Sequence, residues 1–487
     1  MDRAILKASG RKKKFLKRIK KIQNDEDSDG YLSSDDEEFT DSIIGSNINN
    51  KYIIIKYLGK GTFSKTWLVY DYIDDIFLAL KLHEKKFFDE LDTEISNFKI
   101  LNKLGEHPNV IKYYGEIEFK HGDNCMRGIL LELLGESLNE LVDEEYDSKL
   151  DIDKIKNIFN DILSGIEYIH NCGLVHNDLK LDNILIQRPN KKIEDYILKI
   201  RDLQINDFYL KKIEELTPVE IKLLDKNKRK MVKRKIRDRA HKEMIKYFKS
   251  HIIKLNNSTL ENIKLEINET DTVENTDTIE NTDTLENTDT IENTDTVENT
   301  DTIENTDTVE KIKKEIDLSN IRVKIIDFGN TEVIGDMDND EILTRSYRPP
   351  ENILNSYYDN KSDIWAIGCL LYELFNGNPL FDLRDYKVLG KEKDRLHMIQ
   401  MEEVLGRIPK IMAVNSEFSD DIFDSKGKIL KHKSGESRDI RKELNQRFEL
   451  TELEIDEVSQ LLFKILDYDF NNRPNCNELL NDKWFHK

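Results

Sequence analysis

The sequence predicts an α+β fold laid out in two stretches, with a long low-complexity tract between them. β-Branched and aromatic runs over Lys51–Leu58, Thr66–Tyr70 and Phe77–Lys81 read as consecutive strands, and Leu91–Phe98 follows with helical spacing. A second ordinary stretch runs from about Ile321 to Lys487. Between the two, from Arg188 to Asn320, the composition leaves the globular range. The whole chain shows the same imbalance. Its 487 residues are 38% hydrophobic and 35% charged, with a net charge of -21; an average soluble domain has roughly 45–50% and about 25%. Part of the chain is therefore expected to lie outside any core.

Several classes are excluded at once. No run of about 18 apolar residues occurs, so no membrane-spanning helix is expected. Met1–Ile22 is basic without an apolar stretch and does not read as a secretory signal. Cys125, Cys172, Cys369 and Cys476 are scattered, without the paired spacing of a zinc site, as in proteins of a reducing compartment. The expectation is an intracellular protein of the cytoplasm or nucleus, monomeric, with no membrane or nucleic-acid partner.

Residues 1–51 read as a charged, disordered arm: a basic block at Lys12–Lys21 precedes an acidic, serine-containing stretch at Asp25–Asp41. Ser33 and Ser34 each have an acid three positions on. The tract over 188–320 reads as a spacer. Within it, ENTDT followed by Val, Ile or Leu repeats six times from Glu274 to Val309. The six copies hold 12 negative charges and leave -9 for the rest of the chain. Six hexads without glycine make too few coils for a stacked β-helix, which needs at least ~3 units, so the array is expected to be disordered. Upstream, Lys226–Lys246 is basic and helix-prone; a polar helix lying against the acidic array and a site for an anionic partner are the alternatives, and a solvated face is the expected reading. That leaves 52–187 and 321–487 to carry chemistry.

The first two strands flank Leu58-Gly59-Lys60-Gly61-Thr62-Phe63-Ser64-Lys65-Thr66. Glycines there let backbone amides approach phosphate oxygens with no Cβ in the way. Alone, such a turn reads equally as a plain hairpin. Lys81 closes the next apolar strand, either as an ordinary strand-end charge or as a cation for nucleotide phosphates. Glu94, on the predicted helix, is suitably spaced to pair with it.

Leu174–Ile186, LVHNDLKLDNILI, is more specific. It resembles the catalytic loop of the protein kinases, H-R-D-L-x-x-x-N, with Asn177 in place of the arginine. The resemblance implies that Asp178 accepts the substrate hydroxyl proton, Lys180 screens the transferring phosphoryl group and Asn183 holds Mg²⁺. The partner D-F-G segment stands beyond the tract as Asp327-Phe328-Gly329, making Asp327 the second metal ligand. The tract is then an insertion between two strands of a short hairpin. Stretching a turn of about 4 residues to about 130 adds roughly 3 kcal/mol of closure entropy, which a large domain tolerates. Deleting Arg188–Asn320 is accordingly expected to spare activity.

Further segments follow in kinase order. Thr344–Glu351, TRSYRPPE, occupies the A-P-E position; Ser362–Gly368 resembles the helix supporting the catalytic loop; Arg473 matches the arginine that pairs with the A-P-E glutamate, here Glu351. The implied architecture is the two-lobed protein kinase fold, a β-rich N-lobe to about Glu132 and a helical C-lobe, with ATP and Mg²⁺ between them. Lys180 and Thr344 are serine/threonine-type choices. The string around Ser64, Leu131–Gly135 at the hinge, D-F-G-N at Asp327–Asn330 and the position of the spacer are similar to the serine/arginine-protein kinases. That resemblance implies protein substrates that are basic or Ser/Arg-rich, recruited by an acidic groove. Asp382–Arg395, where the groove belongs, holds four acids against five bases and offers no such attraction. A catalytically degenerate scaffold is the first alternative, but Lys81, Glu94, Asp178, Asn183 and Asp327 are all present. A small-molecule phosphotransferase is the second, but such enzymes usually lack the Glu351–Arg473 pairing.

Overall fold

A computed structural model describes residues 42–270 and 320–485, apart from positions 62, 123, 143–149, 338–343, 385, 387, 433–436, 447 and 449. The chain divides into two compact units, Met1–Asp207 with Glu315–Lys487, and Phe208–Lys314.

The first unit opens on β1 (Asn47–Ile48), β2 (Tyr52–Lys60), β3 (Ser64–Asp71) and β4 (Ile76–His83), then α1 (Phe88–Leu101), β5 (Tyr113–His121) and β6 (Asn124–Glu132). The six strands form one antiparallel sheet in the order β1-β2-β3-β4-β6-β5. Side chains alternate across a strand. Leu78, Leu80 and Leu82 of β4 therefore enter a cluster with Trp67, Val69 and Leu130, and the intervening positions put Lys81 and His83 on the other face.

The helical lobe starts with α2 (Leu138–Val142) and α3 (Ile152–Asn171), then β7 (Leu174–Val175) and β8 (Ile184–Ile186). Within the insertion come α4 (Lys191–Arg201), α5 (Ile205–Leu216) and α6 (Lys226–Thr270). After it follow β9 (Val323–Ile325), β10 (Glu332–Val333), α7 (Pro350–Ile353), α8 (Lys361–Asn376), α9 (Lys391–Leu405), α10 (Lys410–Asn415), α11 (Ser419–Ile422), α12 (Ile440–Leu444), α13 (Glu452–Ile465) and α14 (Cys476–Leu480). Helix α3 buries Ile155, Ile158, Phe159, Ile162, Ile166 and Ile169, an i, i+3/i+4 stripe that fixes its inner face. Asp151 caps it, accepting from the Lys154 amide at 2.9 Å. The stripe joins one core with Trp365 and Phe375 of α8 and Leu462 of α13.

The insertion leaves and re-enters through paired strands. Ile184 faces Ile325 and Ile186 faces Val323 in an antiparallel ladder. The buried Asp161 of α3 accepts three bonds from Arg322, at 3.1, 2.8 and 2.7 Å, and one from the Val323 amide at 2.9 Å. The returning chain is thus fixed before β9 begins.

Two expected boundaries move. Residues 42–51, assigned to the charged arm, join the sheet: Ile43 and Ile48 are fully buried and β1 pairs with β2. Two apolar side chains next to an acidic stretch suffice to dock the segment. The insertion is also not a uniformly solvated spacer, because 191–270 is largely helical. In α4, Tyr196 and Ile200 stand one turn apart and are buried, with the Lys56 ammonium 5.1 Å from the Tyr196 ring and the Arg201 guanidinium 5.7 Å from the Phe77 ring. The ENTDT array and residues 1–41 lie outside the described residues.

This revises the deletion experiment. Removing 258–314 is expected to leave the melting temperature of the first unit within about a degree. Extending the cut back to 191 loses the burial of Tyr196 and Ile200, on the order of 3 kcal/mol. Calorimetry of the two deletions should separate them by several degrees.

In the second unit, Ile236, Ala240, Met244, Phe248 and Ile252 of α6 are buried at a strict four-residue interval. Tyr247 stacks on Phe208 at 4.2 Å, and His241 meets Tyr209 at 6.3 Å.

Candidate active site

The glycine-containing segment is the β2–β3 hairpin. Leu58, Gly59 and Lys60 end β2, Ser64, Lys65 and Thr66 begin β3, and Gly59 faces Thr66 while Lys60 faces Lys65. The Gly61 amide donates to the Ser64 carbonyl at 2.8 Å, closing the tip, and the Phe63 ring lies 5.0 Å from that of Phe87. Thr62 lies outside the described residues.

Beneath the hairpin, Lys81 Nζ is 2.9 Å from Glu94 Oε1 and 2.9 Å from Asp327 Oδ1. Strand β4, helix α1 and the segment after the insertion thus converge on one ammonium. Burial works against the charge on Lys81, but Asp327 and Glu94 outweigh it and raise its pKa. Burial also works to raise that of Asp327, yet Lys81 overrides it and holds the carboxyl down at about 2. Asp327 is therefore an anion at any physiological pH. Glu94 is almost wholly buried, and desolvation raises its pKa despite Lys81.

Sequence reasoning missed His83. It lies on the same β4 face as Lys81, is 3% exposed and has Nε2 3.7 Å from Glu94 Oε2. Burial, with Lys81 nearby, lowers its pKa to about 3, so the ring is neutral and adds no charge to the cluster. The two-residue offset from Lys81 was the available signal.

The catalytic-loop residues sit on a buried scaffold. His176 donates from Nε2 to the Ile326 carbonyl at 2.9 Å and accepts at Nδ1 from the Asp178 amide at 3.2 Å. Asp363 of α8 accepts from the His176 and Asn177 amides at 2.8 and 3.0 Å. Asn177 has φ 61°, a left-handed conformation that asparagine tolerates better than most side chains. Its side-chain Nδ2 donates to Glu332 Oε2 at 3.0 Å. Asn183 donates from Nδ2 to both the Asp178 carbonyl, at 2.8 Å, and Asp178 Oδ2, at 3.0 Å. Both amide hydrogens are thereby used and Oδ1 is the end left for a cation. The Ile326 amide donates to the Asn183 carbonyl at 3.0 Å, making Asp327 the next residue along. Asp327 itself has φ 64°. On the open side, Thr344 Oγ1 donates to Asp178 Oδ1 at 3.0 Å, and Lys180 Nζ lies 3.3 Å from Thr344 Oγ1 and 3.5 Å from Asp178 Oδ2.

Edge-to-face ring contacts hold the upper and lower parts of this site together: Phe328 lies 5.1 Å from Phe98 of α1 and 5.4 Å from His176. Below it, Arg473 and Glu351 form a buried bidentate pair, at 2.6 and 2.8 Å. Tyr347 donates to Glu373 at 2.5 Å. Burial raises the Glu373 pKa to about 7 although that hydrogen bond opposes it, and Asp182 adds to the rise. A carboxyl whose folded pKa is raised contributes stability below the unfolded value, near 4.5, and loses it as pH climbs through the folded one. Relative to Glu373→Gln, the parent chain should lose on the order of 3 kcal/mol of unfolding free energy between pH 4.5 and 8. Chemical denaturation at the two pH values measures it.

The comparisons with known proteins bear on this geometry. Residues 52–214 and 312–485 match the protein kinase domain family. The chain belongs to that family. The match is split at the insertion, as the β8–β9 ladder requires. The kinase is similar to protein kinase dsk1 of Schizosaccharomyces pombe, 25% identical over 478 residues, which span 90% of this chain and 81% of that one. It is also similar to SRSF protein kinase 3 of Mus musculus, 22% identical over 523 residues, covering 94% and 92%. A crystal structure of a kinase domain, 20% identical, superposes with a TM-score of 0.54 over 91% of this kinase and 97% of that chain. The two-lobed architecture and the likeness to serine/arginine-type kinases agree with the motifs. No helix among the described residues is long and apolar enough to cross a membrane.

Proposed function

We propose that this kinase transfers the γ-phosphoryl group of ATP, as its magnesium complex, to serine and threonine hydroxyls of proteins. One observation carries the reading: Glu94 and Asp327 both reach Lys81 although 246 positions separate Lys81 from Asp327, and the Asn183 carbonyl, on the residue whose side chain meets Asp178, accepts from the Ile326 amide next to Asp327. Lys81 would bind nucleotide phosphates and Glu94 would hold it in place; the amides of Leu58–Thr66 would cover those phosphates. Asp178 would take the hydroxyl proton, with Lys180 offsetting negative charge on the acceptor side. The donor set suits magnesium, which takes one or two protein oxygens and completes its shell with water and phosphate. An ionised Asp327 and the Oδ1 of Asn183, whose Nδ2 hydrogens are both used, would supply those oxygens. Bound there, the ion would neutralise charge developing on the phosphates.

The substrate is read more coarsely. A relative carries SRSF in its name, which favours arginine-rich serine substrates. Against this, Asp382 pairs with Arg384 at 2.6 Å and Asp394 with Arg345 at 2.5 Å, so these acids are already engaged. A degenerate peptide array incubated with Mg-ATP tests both levels. Phosphate on serine and threonine spots is the expected result, and enrichment for flanking arginine would add the finer assignment. Label on no peptide, or on tyrosine alone, would overturn the reading.

A further inference from the structure

We propose that the basic face of helix α6 is the docking surface for the chain's own ENTDT array, residues 274–309. The inference is independent of the catalytic assignment and concerns the second unit alone.

Between Lys226 and Lys246 the helix holds eleven lysines and arginines against Asp238 and Glu243, a net of +9. The buried stripe from Ile236 to Ile252 takes one narrow row of the helix and leaves Lys230, Lys233, Arg234, Lys235, Arg237 and Arg239 exposed around it. Among the described residues, one base of the set has a carboxylate partner, Lys228 with Asp225 at 3.6 Å. The face spans about 30 Å at 1.5 Å per residue. Such a density of like charge is self-repelling unless a polyanion covers it.

The array is that polyanion by composition, length and position. A carboxylate recurs every third residue from Glu274 to Asp307, 12 in all, with no base among them. Fully extended, its 36 residues reach about 120 Å, enough to return along α6 and cross the basic face about four times. The array begins four residues after the last residue of α6, Thr270. Covalent linkage places it at a millimolar effective concentration, ahead of any polyanion arriving from solution. Each exposed pair contributes little, but the set is additive in charge and falls steeply with salt. The composition of the face also disfavours single-stranded nucleic acid, which uses aromatic platforms for its bases. The aromatic side chains Tyr247 and His241 pair instead with Phe208 and Tyr209.

The test uses the full chain and a fluorescent 20-mer of thymidylate as a probe polyanion. In one variant the array is neutralised, Glu274→Gln, Asp277→Asn and so on through Asp307→Asn. At 50 mM salt this variant should bind the probe at least tenfold more tightly than the parent, and the gap should close at 500 mM. Adding Lys233→Gln, Arg234→Gln and Lys235→Gln should abolish the gain, which separates docking on α6 from a general drop in repulsion. Carbodiimide treatment of the parent monomer should join array carboxylates to α6 lysines. Equal probe affinity with and without the array charges would overturn the proposal: tight in both makes the face a site for external polyanions, weak in both makes it a solvated surface. Cross-links falling outside α6 would overturn it equally.

Discussion

Asp178→Ala is expected to reduce phosphoryl transfer by roughly 10²–10⁴-fold while nucleotide affinity stays within a few-fold. The Asp178 carboxylate carries Thr344 and Lys180 and has no contact with the Lys81–Glu94 pair among the described residues; in the proposed function the first group serves the acceptor and the second the nucleotide. The fold should survive, because the loop's buried anchors are His176 and the backbone amides held by Asp363, not the Asp178 side chain alone. Asn183 loses one acceptor but keeps the Asp178 carbonyl at 2.8 Å. Turnover measured beside binding of a fluorescent nucleotide separates the outcomes. Unchanged turnover would remove Asp178 from the role of base; loss of both would make its contribution structural.

The largest effect on stability is expected at Glu351–Arg473. Both side chains are essentially inaccessible, at 2% and 1% exposure, and the pair is bidentate. Arg473 also donates to the Asp467 and Lys361 carbonyls at 2.8 and 3.1 Å. Its guanidinium stacks 4.9 Å from the Trp365 ring. Removing one partner strands a buried charge, which typically destabilises by about 3–5 kcal/mol. Glu351→Ala should therefore lower the urea midpoint sharply. The double variant Glu351→Leu with Arg473→Met should recover part of that loss, since no charge is left unpaired. A double variant as unstable as the sum of the singles would show that the pair is not coupled.

The strands, the hairpin and the Lys81–Glu94 spacing were legible because each is local: alternation sets the face, and one helix turn sets the partner. The Asp327–Lys81 contact is not local and was not anticipated; the motif order indicated only that Asp327 belongs to the same site as Asn183. What stayed hidden has physical causes. Tyr196 and Ile200 are two apolar positions within a highly charged tract, too few to shift its composition, yet an i, i+4 pair is enough to dock a short helix. Ile43 and Ile48 were masked likewise by the acids before them. His83 went unremarked because histidine gives no signal of burial, and its neutral state depends on desolvation that only the folded sheet imposes. The left-handed backbone of Asn177 explains why an asparagine suits the place where the family pattern has arginine, a point the motif alone registers only as a departure.

The most direct test of the account is the magnesium dependence of binding by a non-hydrolysable ATP analogue, measured for the parent chain, Asn183→Ala, Asp327→Asn and the double variant. If the segments on either side of the insertion share one cation, magnesium should tighten binding in the parent, each single change should abolish that gain, and the double change should lose no more. Full magnesium-dependent tightening in either single variant would contradict it.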